Sequence, residues 1–322
     1  MATYYGTYGQ KVQYLASDPS DPQTGQVWYN STSAVLKVRS VTTSGTWATS
    51  GNMNQARGAI GSAGTFTAGL AFGSYFPYSN NVEKYNGSVW TNSTVYPLSI
   101  AFIAGCGTQT AALAAGGATY TPTVNKFDGT TWTSNPNGTP YGAEAANLFG
   151  TQTAAIWFGG GDTSSFYPST SASFNGTSFT PTPSLNNDLR YGSMATGTQT
   201  AGLAAGGGYP FTTNTEKWNG STWTNSGAIP FSTYNVSGDG VGTQSAAMLW
   251  FGSPANTTTQ YFNGTSWSNQ SASLTYPASG KAASGGTQSA AFSGSGDPAK
   301  SVATTNNWTG AGVATTRTVT VS

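Results

Sequence analysis

Histidine is absent from this chain of 322 residues, which removes the side chain most used for acid–base catalysis near neutral pH. Its absence excludes the usual nucleophilic triads and most zinc and copper sites. A single cysteine, Cys106, allows neither an internal disulfide nor a thiolate metal cluster. We therefore expect a protein that is not an enzyme and that holds no metal and no cofactor.

Charge is also scarce, because charged residues make up 7% of the chain and the net charge is +1. Without a basic face to neutralise phosphates, nucleic acid is not an expected partner. No segment approaches the roughly 18 apolar residues of a membrane-spanning helix, and the N-terminus MATYYGTYGQK lacks the apolar core of a signal peptide. We expect a soluble protein that is made in the cytoplasm and does not insert into a membrane.

Instead, the chain contains an internal repeat. The segment GTQTAALAAGG at Gly107 has near-copies whose first glycines are 43 to 47 residues apart, starting at Gly64, Gly150, Gly197, Gly242 and Gly286. A period of this length, with several short strand signals in each unit, is typical of a β-propeller blade.

Each repeat divides into four strand signals. A first strand of small residues, such as AFIAGC at Ala101, suits the crowded centre of a propeller. The apolar second strand follows the GTQ turn, and the alternating third strand ends in an Asn-Gly or Asp-Gly turn, for which we expect type I′ geometry. The fourth strand carries the large aromatics expected to pack between blades: Trp47, Trp90, Trp132, Phe179, Trp223, Trp267 and Trp308.

These counts predict an all-β propeller of seven four-stranded antiparallel blades. The repeats occupy about 56–92, 99–133, 143–181, 190–225, 234–269 and 281–309, and residues 26–49 with 312–322 supply three strands and one strand for a seventh blade. Closure by both chain ends would remove exposed strand edges. The alternative is six blades with a separate N-terminal hairpin. Residues 1–25, rich in tyrosine and ending in SDPSDPQTG, are expected to form an extended arm outside the propeller of 26–322.

The double glycine after the second strand and the aromatics of the third and fourth strands resemble kelch-type propeller repeats. The repeat GTQTAALAAGG with YNGSVWT, preceded by SDPSDPQTGQVWYNSTSAVLKV, resembles repeat proteins of tailed bacteriophages, especially those of marine cyanobacteria. The segment GQVWYNSTSAVLKV is similar to a short module of phage tail fibres and other virion appendages. These resemblances imply a virion structural protein located on the particle surface.

Several repeated polar residues favour a structural role over chemistry. Glu83, Glu216 and the non-acidic Asn125 share one third-strand position, which indicates a solvated face and not a catalytic pair. Buried Cys106 is expected to act as a small hydrophobe. The repeated glutamines are expected to tie each GTQ turn to the backbone of a neighbouring blade. They are Gln109, Gln152, Gln199, Gln244 and Gln288.

The arginines and the glycosylation-like triplets also favour structure. Arg39, Arg57, Arg190 and Arg317 are too few for a sialidase-like cluster, and the last three open first strands, which predicts a repeated structural role. The Asn-Gly-Ser/Thr triplets match glycosylation acceptors, but each falls where a hairpin turn is required.

Aromatic residues in the variable loops between second and third strands are the candidate binding residues. They are Tyr75, Phe76, Tyr78, Tyr120, Phe166, Tyr167, Tyr209 and Phe211. Strand alternation puts these loops on one face with the connections that carry Tyr96, Tyr141, Phe231, Tyr234 and Tyr276.

The favoured function is a non-enzymatic virion structural protein that is attached to other virion proteins through its N-terminal arm, with a glycan or protein of the host surface as a candidate contact. The alternative is a carbohydrate-binding, lectin-like propeller whose loops bind free glycan. A homo-oligomer is left open as well.

Overall fold

The computed structural model describes residues 12–41, 44–75, 77–161, 168–187, 191–208, 211–232, 241–250, 257–276, 281–295, 302–312 and 314–319. Over these residues the chain forms strands and turns without a helix. None of them forms a segment that could cross a membrane as a helix. The chain divides into two compact units, Thr46–Thr309 on the one hand and Met1–Gly45 with Gly310–Ser322 on the other.

The unit Thr46–Thr309 contains six four-stranded antiparallel sheets, named sheets I to VI in chain order. Sheet I has β5 Gly61–Thr65, β6 Ala68–Ser74, β7 Ser79–Tyr85 and β8 Trp90–Asn92, and sheet II has β9 Ala104–Thr108, β10 Ala111–Ala115, β11 Val124–Phe127 and β12 Trp132–Ser134. Sheet III has β13 Asn147–Gly150, β14 Ala155–Phe158, β15 Ser171–Phe174 and β16 Phe179–Thr182, and sheet IV has β17 Met194–Thr198, β18 Ala201–Ala205, β19 Thr215–Trp218 and β20 Trp223–Ser226. Sheet V has β21 Gly242–Thr243, β22 Ala246–Trp250, β23 Thr259–Phe262 and β24 Trp267–Asn269, and sheet VI has β25 Ala283–Gly286, β26 Ala290–Gly294, β27 Thr305–Thr309 and β4 Thr46–Ser50.

The first strands of these sheets follow one another around a closed ring. Strand β5 contacts β9, β9 contacts β13, β13 contacts β17, and β17 contacts β21. An isolated bridge joins Val241 to Gly286 of β25, and β25 contacts β5. Small residues permit this close approach, since a Cβ added to Gly105 would lie 2.3 Å from the Ser62 carbonyl oxygen. The small first strands predicted from sequence are thus explained by the crowding of backbones around the axis.

The unit formed by the two chain ends contains a seventh four-stranded sheet, here called the terminal sheet. It is built from β1 Gln13–Leu15, β2 Val27–Asn30, β3 Val35–Val41 and β28 Ala314–Thr318. Strand β28 pairs antiparallel with β3, with Thr316 opposite Arg39, so strands from both chain ends do meet in one sheet. The all-β propeller of four-stranded sheets is confirmed, and the seven sheets agree in number with the predicted blades; six of them form the closed ring, and the terminal sheet belongs to the other unit.

The membership of two of these sheets differs from the prediction. The run at residues 46–50 does not join the terminal sheet; it is β4, the fourth strand of sheet VI, with Trp47 opposite Trp308. Trp308 therefore lies on a third strand, where the other repeats also have an aromatic, and the prediction of a fourth-strand position was wrong. The misassignment arose because sheet VI borrows its last strand from the other end of the chain.

The fourth place in the terminal sheet is taken by part of the predicted arm. Residues 13–15 form β1, which pairs parallel with β2, with Tyr14 opposite Tyr29. Their rings stack with centroids 5.2 Å apart. Over its described part the arm is therefore an edge strand and not a free extension, and residues 1–11 lie outside the described residues.

The glutamine prediction is confirmed in every repeat that has one. In each, Nε2 donates to two carbonyl oxygens of the preceding sheet, one on the second strand and one at the third-strand aromatic. Gln109, for example, donates to Gly69 O at 2.7 Å and to Tyr85 O at 2.9 Å. The others are Gln152, Gln199, Gln244 and Gln288. Sheet I has Phe66 in this place, and Phe66 packs instead in the cluster around Phe292 of sheet VI.

The third-to-fourth strand turns also follow one design, but not the predicted one. Gly87 has φ 97°, whereas Asn86 is not left-handed and so the turn is not type I′. Four residues, 86–89, separate the paired Tyr85 and Trp90. The side-chain oxygen of Asn86 accepts from the backbone N–H groups of Ser88 and Val89 at 3.0 and 2.9 Å. An Asx cap therefore explains the recurring Asn-Gly and Asp-Gly pairs.

Candidate functional site

The residues just before the first strands form one end of the ring axis, and we call residues 58–59, 101–102, 144–145, 191–192 and 281 the axial mouth. Backbone hydrogen bonds join successive sheets here: Phe102 N–H donates to Ala59 O at 2.8 Å and Ala145 N–H to Phe102 O at 2.9 Å. Gly192 N–H continues the series to Ala145 O at 2.9 Å. These four residues share a left-handed φ of 51° to 59°, so they are equivalent positions of the repeat.

Large side chains occupy this register in only some sheets. Phe102 stands where sheets I and III have Ala59 and Ala145. One residue earlier, Glu144 and Tyr191 stand where sheets I and II have Gly58 and Ala101. The side chains of Phe102, Glu144 and Tyr191 are half-buried, so they reach the surface of the mouth. Since neighbouring sheets form the same structure with small residues, the fold does not require these three.

Two predicted loop residues join this group from the β6–β7 loop. Tyr75 is held at the mouth by its backbone N–H, which donates to Gly58 O at 2.9 Å. Its ring lies 5.2 Å from that of Phe102 and 5.3 Å from that of Tyr78, measured between centroids. The outermost of the three, Tyr78, is 49% exposed. Tyr78 therefore presents an aromatic surface to solvent, and the rings of Tyr75 and Phe102 pack behind it.

A carboxylate lies beside this surface. The hydroxyl of Tyr191 donates to Glu144 Oε1 at 3.0 Å, and the backbone of Glu144 is fixed by reciprocal bonds with Gly161 at 3.0 and 2.9 Å. Partial burial raises the pKa of the Tyr78 hydroxyl, and the neighbouring Tyr75 and Glu144 raise it further. Glu144 directly precedes Ala145, whose N–H donates to Phe102 O at 2.9 Å, and the Phe102 ring contacts Tyr75, so the carboxylate belongs to the same end of the axis as the aromatic rings.

A buried lysine also belongs to the axial mouth. Lys281 precedes sheet VI, is 1% exposed, and donates its Nζ to Ala146 O at 2.8 Å. Ala146 precedes sheet III, opposite sheet VI in the ring, so the lysine side chain crosses the axis. Its bond partner is two residues from Glu144, so one positive and one negative group belong to the same mouth.

The structure brings together only some of the predicted binding residues. Tyr75 and Tyr78 form the exposed pair described above. Tyr120 lies in the β10–β11 loop, with its backbone against Gly142, and Phe211 is half-buried in the β18–β19 loop. Phe76, Phe166, Tyr167 and Tyr209 lie outside the described residues.

The tyrosines of the fourth-to-first strand connections do not belong to the exposed face. Tyr96 is fully buried and accepts a bond from Asn125 Nδ2 at 2.6 Å. The hydroxyl groups of Tyr141 and Tyr276 donate to the carbonyls of Gly159 and Ser295 at 2.9 and 2.7 Å. Burial raises the pKa of Tyr96 and of Tyr276. These side chains pack between sheets, and their expected exposure was wrong. Tyr234 lies outside the described residues.

The repeated acidic position is buried and not solvated, which corrects the sequence-based interpretation. Glu83 is 1% exposed and pairs with Arg57 at 2.9 Å, while its other oxygen accepts from Asn54 N at 2.7 Å. Glu216 is likewise buried and accepts from the backbone N–H groups of Asn186 and Asn187 at 2.7 and 3.2 Å. Both carboxylates fix the connection that enters their sheet, which is a structural role.

The remaining predicted residues also have framework positions. Arg57 is fully buried, and its Nη1 donates to Asn81 O at 2.7 Å. Arg190 lies outside the described residues, and nothing is described of the Arg317 side chain. Cys106 is buried and lines a cavity of about 90 Å³ at the GTQ end of the axis, together with Ala63, Phe149 and Thr196. Among the described residues, no group of three or more Cys, Asp or Glu side chains is arranged to hold a metal ion.

Sequence reasoning missed Phe102, Glu144 and Tyr191. The available signal was a comparison of the repeats in register, counted back from the glycine of each GTQ turn. At five and six residues before that glycine, half of the twelve residues are Gly or Ala, and the aromatic or charged departures are Phe102, Glu144, Tyr191 and Lys281. The connections before the first strands were instead treated as part of a generic aromatic face.

Comparison with known proteins supports the fold. No protein-family profile matches the chain, and no curated protein matches it. Among solved structures it is similar to that of YjhT, a kelch-like β-propeller, with a TM-score of 0.64 and 10% identity over 80% of this chain and 95% of that chain. The chain is therefore a propeller with a kelch-like fold.

Proposed function

We propose that this chain is a non-enzymatic structural protein of a tailed-bacteriophage particle, where the propeller forms or decorates a tail or capsid appendage. The observation that carries the proposal is the separate terminal unit. The segment that resembles the phage appendage module, residues 25–38, forms the β2–β3 hairpin of that unit. A module with its own sheet is suited to attach a propeller to a larger assembly.

In this proposal the two units have different partners. Residues 1–25 and the terminal sheet contact other virion proteins or further copies of this chain in a homo-oligomer. The axial mouth contacts the host surface. Exposed aromatic rings beside polar groups are suited to such contacts because they bury large areas with few rotatable bonds. The protein is made in the host cytoplasm and displayed on the particle, without nucleic acid or membrane insertion.

The carboxylates support the non-enzymatic part of the proposal. Of those described in Thr46–Thr309, Glu83 and Glu216 are buried in structural bonds and Asp128 caps a turn through Thr130 N and Thr131 N. Glu144 is the remaining one, and acid–base hydrolysis requires a second group with a matched pKa. The site is therefore better suited to binding than to turnover.

The test is the location of the protein in particles. Antibodies raised against the purified full chain should label purified particles of the phage that encodes it, at a regular place on the tail or capsid. Loss of this labelling from particles assembled with a chain that lacks residues 12–41 would support attachment through the terminal unit. Absence of the chain from purified particles, while it is present in infected cells, would overturn the proposal.

A further inference from the structure

We infer that the axial mouth is a binding site for a neutral saccharide, in which the Tyr78 ring stacks on a sugar face and the Glu144 carboxylate accepts sugar hydroxyl groups. This inference rests on the proposed function, because it gives the ligand class of the exposed face. Four features carry it: the differences among the repeats, the aromatic surface, the free carboxylate oxygen and the charge balance.

The repeats show that the site is an addition to the framework. Ala59 and Ala145 have the same left-handed backbone as Phe102, with φ values of 54°, 51° and 53°. A bulky residue is disfavoured in this conformation. Alanine therefore serves the backbone at least as well, and the phenylalanine ring must be useful for another reason. Its contact with Tyr75 indicates that reason.

The three rings contact one another in series, and the last ring, Tyr78, is exposed. Phe102 supports Tyr75 at 5.2 Å between centroids, and Tyr75 contacts Tyr78 edge to face at 5.3 Å and 67°. A ring fixed in this way loses little conformational entropy when a ligand binds. The exposed part of Tyr78 is a flat apolar surface, which suits the C–H face of a pyranose.

The carboxylate supplies the polar half of the site. Tyr191 donates to Oε1 of Glu144, and within the described part of the chain no group donates to Oε2. That oxygen can therefore accept ligand hydroxyl groups without breaking an existing bond. Charge-assisted hydrogen bonds of this kind are about twice as strong as neutral ones.

The charge balance favours a neutral ligand over an ammonium ligand. Aromatic rings with a carboxylate would also suit a quaternary amine. However, the described residues of the mouth carry one ammonium group, Lys281, as well as one carboxylate, Glu144, so their net charge is zero. The mouth consequently offers directional acceptors and apolar surface without a net attraction for cations.

The experiment uses the purified full chain on an array of neutral hexose and pentose oligosaccharides, followed by titration of the best-bound one. We expect Tyr78→Ser and Glu144→Ala each to weaken binding by about tenfold or more, and Phe102→Ala to weaken it less. Glu144→Ala and Phe102→Ala reproduce residues found in other sheets, so both proteins should fold. Tyr14→Ala, which removes an exposed tyrosine of the terminal unit, is the matched control and should bind as the parent chain does.

Three results would overturn the inference: no neutral saccharide bound, binding unchanged in both Tyr78→Ser and Glu144→Ala, or competition by tetramethylammonium. A neutral ligand also requires that affinity change little with added salt. If no saccharide binds while antibodies still label particles, the saccharide site fails and the virion function stands. If the chain binds a saccharide but is absent from particles, the virion function fails and the saccharide site stands.

Discussion

The indole Nε1 of Trp90 donates to the hydroxyl of Thr305 at 2.9 Å and so joins sheet I to sheet VI, where the ring closes. Equivalent bonds join other neighbouring sheets, each from a fourth-strand tryptophan to a third-strand hydroxyl of the preceding sheet. They are Trp223 to Ser171, Trp267 to Thr215 and Trp47 to Thr259, at 3.2, 2.9 and 2.7 Å. A buried indole N–H requires such a partner.

The two remaining junctions show what decides the acceptor. Val124 occupies the third-strand position in sheet II, and the aromatic that faces it from sheet III is Phe179, which has no N–H to satisfy. Val82 occupies it in sheet I, yet sheet II presents Trp132, whose buried Nε1 has no hydrogen-bond partner among the described residues. The pairing rule therefore holds at five junctions and fails at Trp132.

Val82→Thr should stabilise the protein by about 1 kcal/mol, because the new hydroxyl would accept from Trp132 Nε1. Valine and threonine have nearly the same shape, so packing at this fully buried site should change little. Urea unfolding monitored by circular dichroism measures the difference as a shift of the midpoint at an unchanged slope.

Val124→Thr is the matched control for that prediction. It makes the same change one sheet further on, but the facing Phe179 offers no donor for the new hydroxyl. The buried hydroxyl should then cost about 1 to 3 kcal/mol. Equal effects of the two substitutions, in either direction, would show that the indole pairing does not determine stability here.

Thr305→Val should destabilise the protein by about 1 to 3 kcal/mol, since it leaves the Trp90 N–H buried without a partner. The loss falls at the junction of sheets I and VI, where Phe66 replaces the glutamine that clamps the other junctions. Hydrogen exchange should therefore increase first in β4 and β8. Uniform exchange across all sheets would argue against a weak junction.

Sequence alone predicted the repeated parts of this fold and missed the parts that depend on the ring. The glutamine bonds and the small first strands follow from patterns that recur in nearly every repeat, so one explanation covered them all. The place of Trp47 was missed because β4 and β27 are separated by more than 250 residues and pair only once the ring closes. Glu83 was interpreted as solvated because strand alternation does not reveal that a neighbouring loop covers the strand.

The candidate site was only half predictable for a related reason. Tyr75 and Tyr78 are visible as aromatics in a variable loop, whereas Glu144 and Tyr191 belong to different repeats and meet at the axis. Their 47-residue separation is one repeat, so only knowledge of the ring brings them together. Lys281 stands five residues before Gly286, at the register of Phe102, so the comparison of repeats marks it as well, but its reach to Ala146 across the ring is not visible in the sequence.

Glu83→Gln should destabilise the protein by about 3 to 5 kcal/mol, because it leaves the guanidinium of Arg57 buried without a counter-charge. Both side chains of this pair are almost fully buried, at 0% and 1% exposure. Burial already lowers the pKa of Arg57 to about 10, and Glu83 opposes that shift. Chemical denaturation of Glu83→Gln beside the parent chain measures the loss.

The double variant Arg57→Met with Glu83→Leu separates loss of the pair from loss of one partner. Replacing both charges by apolar groups of similar size should cost less than Glu83→Gln alone. If the double variant is less stable than Glu83→Gln, the ion pair itself contributes net stability beyond the cost of an isolated charge.

Acid should weaken the terminal sheet through Asp18. Hydrogen bonds from Lys37, Asn30 and Trp28 lower the pKa of this carboxyl from its usual 3.8 to about 2. Because the folded value is the lower one, the unfolded chain binds more protons between the two values. The stabilisation is therefore complete above pH 3.8 and is lost as the pH falls through about 2. The indole N–H resonance of Trp28, which donates to Asp18 Oδ1 at 3.0 Å, should lose its exchange protection over that range.

Lys37→Met removes the largest cause of the shift and should move the loss to higher pH. An unchanged midpoint in Lys37→Met would show that the lysine contact at 2.7 Å does not set the pKa.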